Sequence, residues 1–467
     1  MAAQERSDAG SAGPVVAGEG YSRIAEIGWP VALSNSSIAL FMIANLFWIG
    51  HLGTTAVAAV SLCGHVLFIL FGLTQIVHTG SVALVSRAVG AEDRAAAWQA
   101  AMHSIALGTG MGCAMALAAP FLAPPIIGFF GVSEAVMAEA VPYLEVSLFS
   151  QTLVFLGMAM GACYQAAGDT RTPMWINIGA VSLNVVIDPL FIFAPGEVFF
   201  LGLDVGWLGL GVVGAAWADI AAHIFGMSFF VLWSWLRSWP LPRPSGAALR
   251  LRVREFWRIV NIGVPASISL MARPVSTFIL LRVIASFGDA AVAAFGIALR
   301  AYNINWIPLA GLTAAVATLV GQNLGARRPD AATRVVRQGL WLSVSLGVLF
   351  TVFYTSIAEQ FVAFFDDSPE VVAVGARFLR ILAFSMWASS ATTPLVAAMN
   401  GAGDTKVPMM AAFLANWPVK LPLAWALAVP LGYGLDGVWI ALFASILLEA
   451  ALIVGWFRTG RWKTREV

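Results

Sequence analysis

Long apolar segments with almost no charged residues recur along this 467-residue chain. A helix needs about 20 apolar residues to cross the hydrocarbon core of a bilayer, where each backbone polar group must be satisfied within the protein. The segments therefore predict an all-α integral membrane protein. Twelve spans are predicted, with ends uncertain by about two to four residues, at 24–46, 54–86, 95–119, 135–163, 173–194, 207–236, 256–287, 290–321, 333–358, 370–398, 408–430 and 437–457.

The composition excludes several functional classes. Only 11% of the residues are charged, against about 25% in soluble proteins. The net charge of +1 and the lack of a basic, aromatic-interleaved patch give no case for nucleic acid. The sequence contains no Walker A, GxSxG or HExxH motif, so we expect neither an enzyme nor catalytic residues. The three cysteines and five histidines show no metal-ligand spacing, so we expect no metal and no cofactor.

The charged residues alternate between the two predicted membrane faces. Chain ends and alternate connectors hold 20 of the 26 Lys and Arg residues, and we call this face the basic end. The opposite connectors contain no Lys or Arg, and we call their face the acidic end. Its acids are Glu134, Glu197, Asp204, Asp289, Asp366, Asp367 and Asp436. The positive-inside rule makes the basic end cytoplasmic. We therefore predict a multi-pass inner (plasma) membrane protein with both termini in the cytoplasm.

Related segments recur at an offset of 235 residues. The octapeptide AGDTRTPM at 167–174 matches AGDTKVPM at 402–409 in six positions of eight. Gly28 and Gly90 recur as Gly263 and Gly325. Each predicted half has six spans, so the repeats are parallel about an axis normal to the membrane, as in many transporters. The predicted domains are a disordered tail 1–20, an N-terminal bundle 21–237, a cytoplasmic linker 238–255, a C-terminal bundle 256–458 and a tail 459–467.

Motifs in order along the chain resemble the multidrug and toxic compound extrusion (MATE) family, and more its DinF-like branch than its NorM branch. They are IGHLGTTAVAA (49–59), LVSRAVGA (84–91), AGDTRTP (167–173), LNVVIDPLFIF (183–193), AAFGIALR (293–300), LVGQNLGA (319–326), GAGDTKVP (401–408) and KLPLA (420–424). The resemblance implies two six-helix bundles in a V. It also implies that a monomeric antiporter exports organic, lipophilic or cationic compounds in exchange for H+ or Na+. A major-facilitator fold fits poorly, because the turn SRAVGAEDRAAA lacks that family's usual pattern. A flippase or exporter for a lipid-linked or amphipathic metabolite stays open as an alternative.

Acids inside the predicted spans are functional candidates, because a charge at the bilayer centre costs about 3 kcal/mol or more. Asp188 lies in span five with Asn184 one turn earlier, and Pro189 follows it. The resemblance implies that this Asn/Asp pair lines the N-lobe cavity and takes part in cation coupling. A structural Asp that is hydrogen-bonded to a neighbouring helix is the alternative.

The family's usual span-one acid is absent, since Asn45 occupies its place. Asp219 in GAAWAD stands where the family commonly has Thr. Our hypothesis is that the second carboxylate has moved to span six, with Asn45, Asn184 and Tyr143 as hydrogen-bond partners. Two close carboxylates at low dielectric titrate as a coupled pair, which would suit proton coupling. Alternatively, Asp219 pairs with His223 one turn away, and His223 itself is a candidate for proton relay or cavity lining.

The C-terminal half carries buried cations instead. Arg273, Arg300 and Lys420 are candidate cavity residues, with Glu449 as an available acid and Trp306 as an aromatic candidate. They fit either a charged cavity that takes part in gating or binds acidic groups, or interhelix ion pairs. Span seven offers arginines where the NorM branch has an acid for Na+. The sequence therefore favours H+ over Na+.

Overall fold

The computed structural model describes residues 20–200, 203–237, 239–241 and 251–465. The predicted tail 1–20, apart from Gly20, and most of the predicted linker lie outside these residues. The α-helices are α1 Tyr21–Gly50, α2 Thr54–Gly90, α3 Arg94–Phe129, α4 Glu134–Ala166, α5 Arg171–Ile192, α6 Val212–Arg237, α7 Val253–Ala285, α8 Asp289–Gly325, α9 Pro329–Ser356, α10 Ala358–Ala363, α11 Pro369–Ala402, α12 Lys406–Leu414, α13 Lys420–Ala428 and α14 Gly434–Arg458.

All twelve predicted spans have a counterpart in this architecture. Eleven helices in the described ranges are long and apolar enough to cross a membrane unbroken. The remaining span consists of α12, a π-helical segment Ala415–Val419, and α13. Pro418 lies in that segment, and the Lys420 amide bonds the Ala415 carbonyl five residues earlier. A proline inside a helix removes a backbone hydrogen bond, and π-segments often accompany functional sites.

Two predicted boundaries are wrong by more than four residues, and a third helix begins inside the predicted linker. Helix α3 continues ten residues past its predicted end at 119, to Phe129. Helix α6 begins at Val212 instead of 207 because the preceding residues fold back on the end of α5, where the Trp207 amide donates to the Phe193 carbonyl at 2.8 Å. A two-stranded hairpin, β1 Phe199–Phe200 and β2 Leu203–Asp204, precedes this turn. Helix α7 begins at Val253, two residues inside the predicted linker.

Each six-span half packs around its own apolar core. The N-lobe core near the acidic end includes Ile49 and Leu144, neither of which is exposed. The matching C-lobe core stacks Phe378 on Trp439 with ring centroids 3.8 Å apart. Separate cores allow the two lobes to move as units about their mutual contact.

The contact between the lobes lies in the half of the molecule next to the basic end. A Cβ on Gly263 would lie 2.0 Å from the Ile76 carbonyl oxygen, and one on Gly311 would lie 2.3 Å from the Gly28 carbonyl oxygen. These contacts are related by the repeat, since Gly28 and Ile76 correspond to Gly263 and Gly311. Side-chain hydrogen bonds between the lobes in the described ranges lie between the middle of the membrane and the basic end. Nearer the acidic end the lobes are joined by a looser contact, in which the rings of His65 and Phe278 have centroids 6.2 Å apart. The tight contacts therefore lie nearer the basic end, and we infer that the cleft between the lobes faces the acidic end.

Candidate functional site

The N-lobe site is built around Asp188 of α5, whose side chain is fully buried. Asn45 of α1 donates from Nδ2 to Asp188 Oδ2 at 3.3 Å. The other carboxylate oxygen, Oδ1, has no hydrogen-bond partner among the described residues. A buried polar atom without a partner costs about 1–3 kcal/mol and requires an explanation. Asp188 is therefore placed to accept a proton or to bind a cation.

A second carboxylate lies next to the first. Asn184, one turn before Asp188 on α5, donates from Nδ2 to Asp219 Oδ1 of α6 at 2.8 Å. Asp188 and Asp219 interact electrostatically. The buried Tyr143 of α4 interacts electrostatically with both carboxylates. The five residues singled out for cation coupling thus come together from α1, α4, α5 and α6. Asn184 connects the two carboxylates, because it lies one turn from Asp188 on α5 and its amide donates to Asp219.

His223 does not form the predicted side-chain contact through its Nδ1 atom. Its Nδ1 donates to the backbone carbonyl of Asp219 at 2.7 Å, one turn earlier on α6. The Asp219 carboxylate oxygen Oδ1 accepts from Asn184, and the imidazole of His223 interacts with this carboxylate electrostatically. Ring-to-carbonyl bonds of this type fix the tautomer of a histidine and occupy its Nδ1 proton.

The C-lobe contains a polar network at the corresponding depth. Arg273 of α7 forms a salt bridge with Glu449 of α14, with Nη2 and Oε2 3.0 Å apart. Arg273 also donates to the Tyr302 hydroxyl of α8, which is 2.8 Å from Ser389 Oγ of α11. Asn416 of the π-segment donates to the same Glu449 oxygen at 3.1 Å. The Glu449 carboxylate therefore accepts hydrogen bonds from two side chains, those of Arg273 and Asn416.

Lys420 adds a second cation to this network. Only 1% of its surface is exposed. Its Nζ donates to Thr277 Oγ1 and to Asn416 Oδ1, each at 3.1 Å. Both partners are neutral. Asn416 links Lys420 to the negative charge of Glu449, because it accepts from Lys420 and donates to Glu449. The π-segment positions this lysine, because the segment ends at the residue before it.

Two other C-half candidates lie outside this network. Arg300 is exposed on α8, with its guanidinium 5.0 Å from the Phe365 ring centroid. Trp306 is 40% exposed one turn beyond Tyr302 on α8. The structure therefore brings Arg273, Lys420 and Glu449 together and leaves Arg300 and Trp306 apart from them.

Sequence reasoning missed several polar residues of the C-lobe network. Thr277, Tyr302, Ser389 and Asn416 are neutral, and nothing in the local sequence of the first three marks them as partners of a charge. Asn416 could have been found from its i, i+4 spacing to Lys420, which puts both on one helix face. The other three contacts depend on how separate helices pack.

Comparisons with known proteins agree with this architecture. The MatE family model matches residues 30–190 and 265–426, more than half of the chain. The two matched segments begin 235 residues apart, which confirms the internal duplication. The probable multidrug resistance protein YoeA of Bacillus subtilis is 24% identical over 443 residues, which cover 94% of this chain and 93% of that protein.

Solved structures share the fold. A MATE crystal structure in complex with MaD3S has a TM-score of 0.86 at 21% identity and covers 96% of this chain and 98% of that one. A MOP superfamily transporter from Pyrococcus furiosus, described as having a binding pocket of reversed polarity, has a TM-score of 0.86 at 20% identity and the same coverage. Assignment to the DinF-like branch stays a prediction. With two six-span repeats that each match the family model, the chain belongs to the MatE family and is a multi-pass MATE transporter of the membrane.

Proposed function

We propose that this protein is a secondary antiporter that exports organic, lipophilic or cationic compounds in exchange for inward H+. Transport would proceed by rocking of the two lobes, so that the cleft between them opens to one membrane face at a time. The cleft is open towards the acidic end, which the positive-inside rule assigns to the outside. In this arrangement the structure corresponds to an outward-facing state.

The unpartnered Asp188 Oδ1 is the observation that supports proton coupling most strongly. A proton on this oxygen supplies the missing hydrogen-bond donor and removes a buried charge. Asn184 Oδ1, also buried without a partner, lies one turn away on α5 and offers an acceptor. Proton binding and release at this carboxylate pair would change its charge inside the N-lobe. That change can shift the equilibrium between two conformations of the lobe, because a charge in a low-dielectric interior raises the free energy of the conformation that buries it.

Two features favour H+ over Na+. Asn45 and Asn184 each donate an N–H group to a carboxylate oxygen, which leaves fewer oxygens to ligate a metal cation. Span seven carries Arg273 where the NorM branch has an acid, and Glu449 already neutralises that arginine. A proton needs only one free carboxylate oxygen, whereas a hard cation needs several oxygen ligands.

The test is transport in proteoliposomes under pH and Na+ gradients that are imposed separately. A lipophilic fluorescent cation, such as ethidium, serves as the probe. We expect uptake into inverted vesicles to follow the pH gradient. Asp188→Asn and Asp219→Asn should each lower transport by at least about tenfold, since an amide cannot release a proton.

The matched control is Asp289→Asn, which removes an exposed acid at the start of α8 and leaves the N-lobe site intact. It should transport at the parental rate. Transport driven by Na+ alone would refute the choice of coupling ion. Unchanged transport by both N-lobe variants would refute the site itself.

The C-lobe cations support a second candidate function, export of an anionic amphiphile such as a lipid-linked metabolite. Arg273 and Lys420 outnumber the single carboxylate in their network, which leaves an excess positive charge there. The same vesicles, loaded with a fluorescent anionic lipid analogue, distinguish the two functions. Transport of the anionic probe that is lost in Lys420→Met would favour the second function. Transport of ethidium alone would exclude it.

A further inference from the structure

A small cavity at the basic end of the C-lobe lies away from both polar networks. Its volume is about 110 Å³, and it lies where α7, the start of α12 and the C-terminal segment meet. Its polar lining consists of Arg258, Asn261, Thr405, Lys406 and Arg465. Three of these side chains are cations, and they come from three segments that are distant in sequence. The cavity is therefore a product of the tertiary structure.

The equivalent position in the N-lobe has a different charge arrangement. Arg23 and Glu26 correspond to Arg258 and Asn261, and they form a salt bridge at 2.8 Å. In the C-lobe, Asn261 leaves that acid position neutral. Arg258 instead forms a salt bridge at 2.6 Å with Glu255, one turn earlier on α7. Lys406 and Arg465 complete the cavity without a matching acid in its lining.

The helix end at the cavity also differs between the halves. At the start of α5, Asp169 accepts a hydrogen bond from the Thr172 amide at 3.0 Å. The corresponding Asp404 is turned away and accepts from the Trp456 indole at 3.1 Å. The N-cap residue of α12, Thr405, makes no side-chain hydrogen bond to the first turn of this helix. Its amide groups and the positive end of the helix dipole are therefore available to an anion.

We propose that this cavity binds a phosphate group, supplied by the headgroup of an anionic phospholipid. Basic pockets between membrane helices on the cytoplasmic side suit such headgroups. The segment that supplies Arg465 follows α14, and Arg458 and Lys463 add further positive charge at the predicted cytoplasmic surface. A lipid bound there would connect α7, α12 and the C-terminal segment. The site would act on the C-lobe alone, because the N-lobe has the acid Glu26 at the position where the cavity is lined by neutral Asn261.

The experiment is thermal unfolding of the purified full-length protein in detergent, titrated with phosphatidylglycerol, phosphatidylcholine or inorganic phosphate. We expect phosphatidylglycerol to raise the unfolding midpoint more than phosphatidylcholine does. Lys406→Gln should weaken the apparent affinity by about fivefold, the usual effect of one cation at an anionic surface. Asn261→Glu, which restores the acid of the N-lobe, should weaken it at least as much. Lys406 is exposed, so its neutral replacement should keep the fold.

Two control variants each remove one cation from the same face outside the cavity. Arg171→Gln changes the N-lobe counterpart of Lys406, which lies over Trp29, and Arg461→Gln changes a residue that lies over Trp456. Both controls should titrate like the parent. A midpoint shift with inorganic phosphate alone would keep the phosphate site but assign it to a soluble phosphate compound. Equal weakening in all four variants, or no advantage of phosphatidylglycerol over phosphatidylcholine, would overturn the proposal.

Discussion

Arg87 and Gln322 occupy equivalent positions in the two halves, and each donates a hydrogen bond to a backbone carbonyl of the opposite lobe. Arg87 Nη2 lies 3.1 Å from the Ala402 carbonyl oxygen at the end of α11. Gln322 Nε2 lies 2.8 Å from the Ala166 carbonyl oxygen at the end of α4. The last carbonyls of a helix have no intrahelical partner, so each lobe satisfies a group that the other leaves open. The pair forms a two-part latch that closes the basic end.

Removing one part of the latch should favour opening of the basic end. Gln322→Ala deletes one buried hydrogen bond, which contributes about 1 kcal/mol and changes the ratio of closed to open molecules about fivefold. Spin labels at Ala95→Cys and Asp330→Cys, both exposed at this end, report the change as a longer distance population. The labels require a Cys113→Ser background, because Cys113 is exposed.

Asn323→Ala is the matched control for the latch. The Asn323 side chain donates only within its own helix, to the Leu319 carbonyl at 2.8 Å. Its replacement should leave the distance distribution unchanged. An equal shift in both variants would mean that the effect is general loosening of α8.

Glycines next to the latch should be intolerant of alanine. A Cβ on Gly90 would lie 1.9 Å from the Gln322 carbonyl oxygen, and one on Gly325 would lie 2.0 Å from the Arg87 carbonyl oxygen. Such overlaps cannot be relieved by side-chain rotation, because both neighbours are backbone. We expect Gly90→Ala and Gly325→Ala to prevent closure and to lower transport by at least about tenfold. Gly161→Ala, at a helical glycine with nothing within 4 Å of the added Cβ, should retain parental transport.

Loss of Glu449 should destabilise the C-lobe. Glu449→Gln leaves Arg273 without its counter-ion in a partly buried pair, and leaving such a group without its partner costs about 1–3 kcal/mol. Thermal unfolding of the detergent-solubilised protein measures the loss. Addition of Arg273→Gln should recover part of it, because the uncompensated charge is then gone. The exposed pair Glu359–Arg380 is the contrast, since Glu359→Gln should cost less than about 1 kcal/mol. Equal losses at the two pairs would contradict burial of the C-lobe pair.

His223 should be dispensable where Asp219 is not. Its Nδ1 proton is committed to a backbone carbonyl, so a side chain that keeps only local packing should suffice. His223→Gln should transport within about threefold of the parent, whereas Asp219→Asn should lose at least about tenfold. The measurement is proton-driven ethidium transport in the vesicles described above. Equal loss in the two variants would instead make His223 part of the proton path.

Hydropathy and spacing were sufficient to predict the spans and the duplication. Twelve apolar segments require twelve crossings because the bilayer core leaves no other way to satisfy the backbone. The boundary errors have local causes. Residues 207–211 are apolar and predict the start of the sixth span, but their amides donate hydrogen bonds to carbonyls at the end of α5. The interruption of the eleventh span was not predicted, because a proline inside an apolar run does not reveal whether a π-segment forms.

The acids of the N-lobe could be selected from sequence because an intramembrane carboxylate is rare and costly. Their hydrogen-bond partners could not be derived from local sequence, as the contact between Asn45 and Asp188 joins residues 143 apart. Such a contact depends on the rotation of one helix against another, which is set by packing along their whole length.

The sequence by itself determined the membrane class, the two parallel repeats and the acids inside the spans, since each follows from local hydropathy or from the repeat offset. Only the tertiary structure decided how those charges are compensated. It directs Arg273 to Glu449, leaves Lys420 with neutral oxygen partners, and sets Arg87 and Gln322 against the opposite lobe. The physical reason is that charge compensation depends on distances of about 3–4 Å between side chains of different helices, and helical periodicity fixes only which face a residue occupies.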